Sequence, residues 1–105
     1  MTKEKIKQTL YRHKSLLKKY HIKSIALFGS SVRGEGKKES DIDFLVEFDK
    51  NAFGKNFEGY YDNYIGLLNS LKKILKKKIH LVTSDMISPY IKPYVVKEAE
   101  FFEAA

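Results

Sequence analysis

Apolar side chains recur every three or four positions in two long stretches of the chain, which is the spacing of one helix face. The first stretch predicts a helix over residues 2–20, with Thr2 as its N-cap and His13 on its apolar side as a partly buried structural residue. The second predicts a helix over 60–76, and a short helix over 94–102 is expected after Pro93. The apolar stripe of the 60–76 helix consists of Tyr61, Tyr64, Leu68, Leu71 and Leu75.

Three shorter apolar segments predict strands over 23–28, 41–48 and 78–83. The stretch 49–59 is rich in glycine and asparagine and predicts a loop. Its Phe53 and Phe57 could pack back onto the domain or flank a base, and packing is favoured. Helices that alternate with three short strands indicate an α/β or α+β fold. We therefore expect one small sheet of about three strands, backed by helices.

The composition narrows the class of protein. A chain of 105 residues predicts a single domain, here 1–105, and the lack of cysteine excludes disulfides and thiolate metal sites. No apolar run approaches the length of a membrane span and no signal peptide is visible, so we expect a cytoplasmic protein without a membrane partner. The formal net charge of +7, carried mostly by lysine, favours nucleotides, nucleic acid or an acidic protein as partners.

Two aspartates open the second predicted strand. Aspartate is depleted in strands, and burying a carboxylate without a partner is costly, so a cation is expected beside Asp41 and Asp43. Because alternate strand residues share a face, the two carboxylates lie roughly 6.5–7 Å apart on one side of the sheet. Two such carboxylates can converge on Mg²⁺, which prefers carboxylate oxygen together with substrate phosphate.

A glycine and a serine follow the first predicted strand and supply the complementary half of a site. Gly29 lets the backbone approach a ligand closely, and the Ser30 hydroxyl with nearby amides suits a phosphate. Arg33 either steadies a phosphate or caps the loop. A Gly-Ser pair alone is usually a turn, and an isolated Asp-x-Asp is often a solvated strand end. Together, attached to two strands, they indicate phosphoryl or nucleotidyl transfer.

The stretch from Gly29-Ser30 through Arg33-Gly34 to Asp41-Ile42-Asp43 resembles the signature of the minimal nucleotidyltransferase (MNT) branch of the DNA polymerase β-like nucleotidyltransferase superfamily. The resemblance implies the mixed sheet of the nucleotidyltransferase fold. It implies ATP or another nucleoside triphosphate bound against Gly29 and Ser30, with two Mg²⁺ ions on Asp41 and Asp43. It further implies transfer of AMP to a hydroxyl, and a HEPN-domain toxin as partner, silenced by AMP on a tyrosine.

One position departs from the family pattern. An aspartate is expected where the third predicted strand carries His80, which by alternation lies on the face of Asp41 and Asp43. Histidine is a poorer Mg²⁺ ligand than carboxylate, but it can act as a general base near neutral pH. The alternative to an enzyme is therefore a catalytically weakened module that binds a nucleotide or partner and inhibits by contact. A lysine-rich RNA binder is less favoured, because no stacking-aromatic motif interleaves the basic residues.

Overall fold

The computed structural model describes residues 2–29, 42–55 and 58–102 of the chain, in which helices and strands alternate. In chain order the elements are α1 (Lys3–Arg12), α2 (Ser15–Lys19), β1 (Ile22–Phe28), β2 (Ile42–Phe48), α3 (Tyr60–Leu75), β3 (Ile79–Thr83), α4 (Lys92–Glu98) and β4 (Glu100–Phe102), with short 3-10 turns at Lys50–Ala52 and Ser84–Met86. Among the described residues, no helix is long and apolar enough to cross a membrane.

The strands form one mixed sheet in the order β3-β2-β1-β4. β1 runs antiparallel to both β2 and β4, whereas β2 and β3 are parallel. The expected mixed sheet backed by helices is therefore confirmed, but the described residues give it four strands rather than about three. The expectation of a helix over 94–102 was wrong at its end, because α4 stops at Glu98 and Glu100–Phe102 pair with β1. Hydrogen bonding along a free strand edge prevails there over local helix spacing.

The N-terminal stretch forms two helices where one was expected. Thr2 caps α1, since its hydroxyl accepts a hydrogen bond of 3.2 Å from the Lys5 N–H, as predicted. His13 ends α1 with non-helical backbone angles, and its Nδ1 lies 2.9 Å from the Thr9 carbonyl oxygen. The expectation of a partly buried His13 was wrong, because the side chain is exposed at the break. The break lets α2 bury Leu17 against the core.

The helices α1, α2 and α3 cover one face of the sheet. In α3 the buried positions are Leu67, Leu71 and Leu75, whereas Tyr61, expected on the inward stripe, is 72% exposed. The expected stripe is confirmed at Leu71 and Leu75, which are buried, and at Tyr64 and Leu68, which pack against the core, and it was wrong at Tyr61. The core residues come from α1, α2, α3 and the three longer strands: Ile6, Leu10, Leu17, Ile25, Leu27, Ile42, Phe44, Val46, Phe48, Leu67, Leu71, Leu75, Ile79 and Leu81.

Polar contacts fix α3 and thereby position β3. The Asn63 side-chain amide donates to the Tyr20 carbonyl oxygen at 2.7 Å, and the Tyr20 hydroxyl lies 3.0 Å from the Ser70 hydroxyl. The Tyr64 hydroxyl donates to the carbonyl oxygen of Leu81 in β3. Burial raises the pKa of Tyr64, which keeps this hydroxyl protonated as a donor at neutral pH. β3 is therefore tied to α3 by a side-chain bond as well as by packing.

The two ends of the described chain are joined by ion pairs. Lys3 of α1 lies 2.9 Å from the Glu100 carboxylate in β4, and Lys7 also hydrogen-bonds that carboxylate. The hydrogen bonds from Lys7 and Lys3 hold the pKa of Glu100 below its usual range. The edge strand β4 is thus fixed to the first helix on the side of the sheet that carries the core.

Candidate active site

Asp43 and His80 face each other on the side of the sheet opposite the core. They are register partners in the parallel β2–β3 pair, and His80 Nδ1 lies 3.2 Å from Asp43 Oδ1. The Asp43 side chain is 22% exposed and that of His80 is 60% exposed, so the pair is open to a ligand. The expectation that His80 shares a face with Asp43 is confirmed.

The strand pattern accounts for this placement. Ile42 and Ile79, one position before Asp43 and His80, are both buried in the core. Successive strand side chains point to opposite faces, so the next residue of each strand must point away from the helices. The Ile42 N–H donates to the Lys78 carbonyl oxygen at 2.9 Å, which fixes the register that brings the carboxylate to the imidazole.

Gly29 lies against Asp43 on the other side. Phe28, the last residue of β1, is the register partner of Asp43, and the following Gly29 has a φ of +70°. A Cβ atom at Gly29 would lie 2.7 Å from Asp43 Oδ2, closer than real Cβ contacts come. The glycine therefore makes room for the carboxylate of Asp43. Sequence reasoning missed this contact, because it depends on the β1–β2 register and leaves no local signal.

Other predicted site residues fall outside the described ranges. Ser30, Arg33 and Asp41 belong to the stretch 30–41, so their predicted roles in holding phosphate and metal remain predictions. Within the described ranges no three His, Cys, Asp or Glu side chains group together in a way that could hold a metal ion. The described donor set is one carboxylate with an adjacent imidazole. It fits a divalent cation, since the carboxylate oxygen is a ligand that Mg²⁺ prefers.

Phe53 and Asp85 make structural contacts. Phe53 packs edge-on against Tyr60, with ring centroids 5.3 Å apart, which confirms that it packs onto the domain; Phe57 lies outside the described residues. Asp85 follows β3 in a 3-10 turn, and its carboxylate lies 3.4 Å from the Lys50 ammonium. Since this turn is at the opposite end of β3 from His80, Asp85 does not supply the missing third carboxylate.

Comparison with known proteins assigns the chain to a family. The family model described as a nucleotidyltransferase domain matches residues 6–102. The chain is a minimal nucleotidyltransferase. A relative from Methanocaldococcus jannaschii, inferred to be a protein adenylyltransferase, is 44% identical over 99 residues, which are 92% of this chain and 94% of the relative.

Solved structures agree with this assignment. The fold of this chain is similar to that of a protein assigned as a minimal nucleotidyltransferase, with a TM-score of 0.77, 26% identity and coverage of 95% of both chains. It is also similar to a chain in a complex between a tri-AMPylated HEPN toxin of Shewanella oneidensis and an MNT antitoxin. There the TM-score is 0.61 at 19% identity, over 99% of this chain and 74% of the other, which shows a shared fold.

Proposed function

We propose that this minimal nucleotidyltransferase transfers AMP from ATP to a tyrosine hydroxyl of a HEPN-type toxin and thereby acts as its antitoxin. The observation that carries the proposal is the Asp43 carboxylate, which lies between Gly29 and His80 on the open face of the sheet. Two comparisons support the acceptor. The Methanocaldococcus relative is inferred to modify protein, and the structural neighbour is a toxin–antitoxin complex whose toxin carries AMP.

Each site residue has a role in this reaction. Asp41 and Asp43 would hold two Mg²⁺ ions, while Gly29, Ser30 and Arg33 would bind the nucleotide phosphates. When bound, the metal ions neutralise charge on the transferring phosphoryl group and favour ionisation of the attacking hydroxyl. Gly29 keeps the backbone clear of Asp43, and packing of β2 into the core fixes the strand that carries this carboxylate. Positioning of this kind supplies most of the catalysis in phosphoryl transfer.

The chemistry balances without a further reactant. The tyrosine oxygen attacks the α-phosphorus of ATP and forms a new P–O bond, while the bond from the α-phosphorus to the bridging oxygen breaks. Pyrophosphate leaves with the bonding electrons, and the hydroxyl proton passes to solvent or a nearby base. The modified tyrosine gains a negative charge and loses its O–H donor, and both changes alter what its surroundings can bind.

His80 favours a second candidate function. An imidazole stands beside Asp43 where the family pattern has a third carboxylate, and imidazole is a weaker ligand for Mg²⁺. A protein with this donor set could bind its partner and inhibit it by contact alone. The two functions share the fold and the partner, and they differ in whether AMP is transferred.

Calorimetry of ATP binding, with and without Mg²⁺, tests the site. The wild-type protein should bind ATP only with the metal, and Asp43→Asn should remove the effect of Mg²⁺, because the variant loses a metal-binding charge. Asp62→Asn is the matched control, since Asp62 is an exposed aspartate in the first turn of α3. Equal ATP affinity with and without Mg²⁺ in all three proteins would contradict the proposed site.

Intact-mass spectrometry then separates the two functions. A HEPN-type partner from the native host, incubated with the wild-type protein, ATP and Mg²⁺, should gain the mass of one or more AMP units. The Asp43→Asn variant should still bind the partner without adding mass. A stable complex that gains no mass with the wild-type protein would establish inhibition by contact and overturn the transferase.

A further inference from the structure

Five lysines gather where α3 ends and β3 begins. This lysine cluster consists of Lys72, Lys73, Lys76, Lys77 and Lys78. It adjoins the site, since the Lys78 carbonyl oxygen accepts the Ile42 N–H one residue before the Asp43–His80 pair. By strand alternation Lys78 falls on the same face as His80, roughly 6.5–7 Å further along the strand.

Within the described ranges, four of the five lysines in the cluster have no acidic partner. The sequence contains no Asp or Glu from 63 to 84. Lys72, Lys73, Lys76 and Lys78 are exposed, and within the described part of the chain none of these four forms an ion pair. Lys77 is half-buried and has an interaction of its own. Among the residues that the structure describes, these four ammonium groups therefore have no acidic partner that would compete with an anionic ligand beside the site.

The end of the helix accounts for only part of the lysine cluster. Lys72 and Lys73 lie in the last turn of α3, where cations favour the negative end of the helix dipole. The same effect reaches Lys76, the C-cap of the helix, but it decays beyond the helix end and does not explain Lys78. Lys76 has a φ of +54°, in the left-handed region where glycine is the usual residue and another side chain is strained. Lysine here provides a positive charge together with backbone strain that glycine would not have.

The sheet order assigns the lysine cluster to one of the two substrates. Asp43 has Gly29 on the β1 side, and His80 with the lysine cluster on the β3 side. In the proposed function the phosphates of ATP lie on the Gly29 side. The β3 side is therefore left for the acceptor, whose hydroxyl must reach the α-phosphorus from the side away from the departing pyrophosphate.

We propose that the lysine cluster binds an acidic segment of the acceptor protein, next to the tyrosine that receives AMP. The inference rests on the proposed adenylyl transfer and adds the charge of the acceptor surface. A protein is favoured over nucleic acid because residues 72–83 contain no Phe, Tyr or Trp on which bases could stack. Complementary charge would speed the encounter and orient the acceptor towards Asp43.

Binding of two random copolymers tests the proposal without ATP or metal. A fluorescent glutamate–tyrosine copolymer is the acidic probe and a lysine–tyrosine copolymer is the basic one, compared by anisotropy at physiological ionic strength. Each of two triple variants lowers the formal net charge from +7 to +4. The cluster variant is Lys72→Gln, Lys76→Gln and Lys78→Gln; the matched control, on exposed lysines of the α1–α2 region, is Lys5→Gln, Lys14→Gln and Lys18→Gln.

The cluster variant should bind the acidic copolymer at least ~10-fold more weakly than the wild type, and the control variant nearly as well as the wild type. A third variant, Lys76→Gly, should be more stable than the wild type and still bind less copolymer, because it relieves the strained backbone while removing one charge. Lys76→Gly therefore still tests the proposal if the triple cluster variant does not fold.

Three results would overturn the inference. Equal losses in the cluster and control variants would show attraction by net charge alone. A fall in ATP affinity in the cluster variant, with copolymer binding unchanged, would assign the lysines to the nucleotide. Tighter binding of an oligoadenylate RNA than of the acidic copolymer, lost in the cluster variant, would make the acceptor a nucleic acid. Because the copolymer assay omits ATP, its outcome is separate from any failure of adenylyl transfer.

Discussion

The contact between Gly29 and Asp43 makes Gly29→Ala the most informative single substitution. Alanine at a φ of +70° costs about 1–2 kcal/mol in backbone strain. Its Cβ would also lie 2.7 Å from Asp43 Oδ2, so the carboxylate must move, at a further cost of about 1–3 kcal/mol. We therefore expect a loss of roughly 2–5 kcal/mol from a native stability of about 5–15 kcal/mol.

Substitutions at two other glycines separate the cost of backbone strain at Gly29 from the cost of its steric contact with Asp43. Gly59 has a φ of +78° with no atom within 4 Å of an added Cβ, so Gly59→Ala measures strain, together with any change in capping at the start of α3. Gly54 has neither a positive φ nor a neighbour within 4 Å, and Gly54→Ala should be neutral or slightly stabilising. Urea unfolding of the three variants gives the free energies to compare.

A double-mutant cycle with Asp43→Ala isolates the steric term. If the carboxylate is the obstacle, Gly29→Ala should be better tolerated by about 1–3 kcal/mol once Asp43 is truncated. Transfer should fall at least ~100-fold in Gly29→Ala and remain near wild type in Gly59→Ala, because displacing a catalytic group by about 1 Å has an effect of that size. A coupling energy within about 0.5 kcal/mol of zero would refute the contact.

Two further predictions concern His80 and Glu100. His80→Asp should speed AMP transfer by ~10-fold, equivalent to about 1.4 kcal/mol of barrier, because it restores the carboxylate of the family pattern. The same variant should unfold at a lower temperature in EDTA and recover with Mg²⁺, since two carboxylates then face each other; slower transfer would show that the imidazole itself contributes. Glu100→Gln should lower the thermal midpoint at neutral pH, because it removes the carboxylate that pairs with Lys7 and Lys3. The pKa of Glu100 is lower in the folded state, so this stabilisation is fully present above the unfolded-state pKa of about 4.5 and is lost as the pH falls through the folded-state pKa. The thermal midpoints of the two proteins should therefore converge in acid. A difference between the midpoints that persists in acid would contradict the prediction.

Apolar spacing in the sequence predicted those elements in which the apolar residues are also the buried ones. The three longer strands and α3 follow from apolar spacing, and the Asp43–His80 pairing follows from alternation once β2 and β3 are neighbours. The predicted stripe of α3 was wrong only at Tyr61, because apolar spacing does not show where along a helix its contact with the sheet begins. Periodicity locates a helix more reliably than it locates the extent of the covered side.

Features that depend on distant pairing could not be predicted locally. β4 forms because Glu100–Phe102 pair with β1, and no pattern within residues 94–102 predicts this pairing. The break at His13 reflects how α2 must turn to bury Leu17. The Gly29–Asp43 contact depends likewise on Phe28 pairing with Asp43, which only the assembled sheet defines.

The parallel pairing of β2 with β3 determines when the site can appear during protein synthesis. Antiparallel β1 and β2 can associate as soon as both leave the ribosome, which brings Gly29 to Asp43. A parallel neighbour cannot be added through a tight turn, so His80 reaches Asp43 only after α3 has been made and has crossed the sheet. Synthesis proceeds at about 5–20 residues per second, which leaves the nascent chain without its complete site for several seconds. A chain that stalls before β3 can therefore hold Gly29 beside Asp43 but lacks His80.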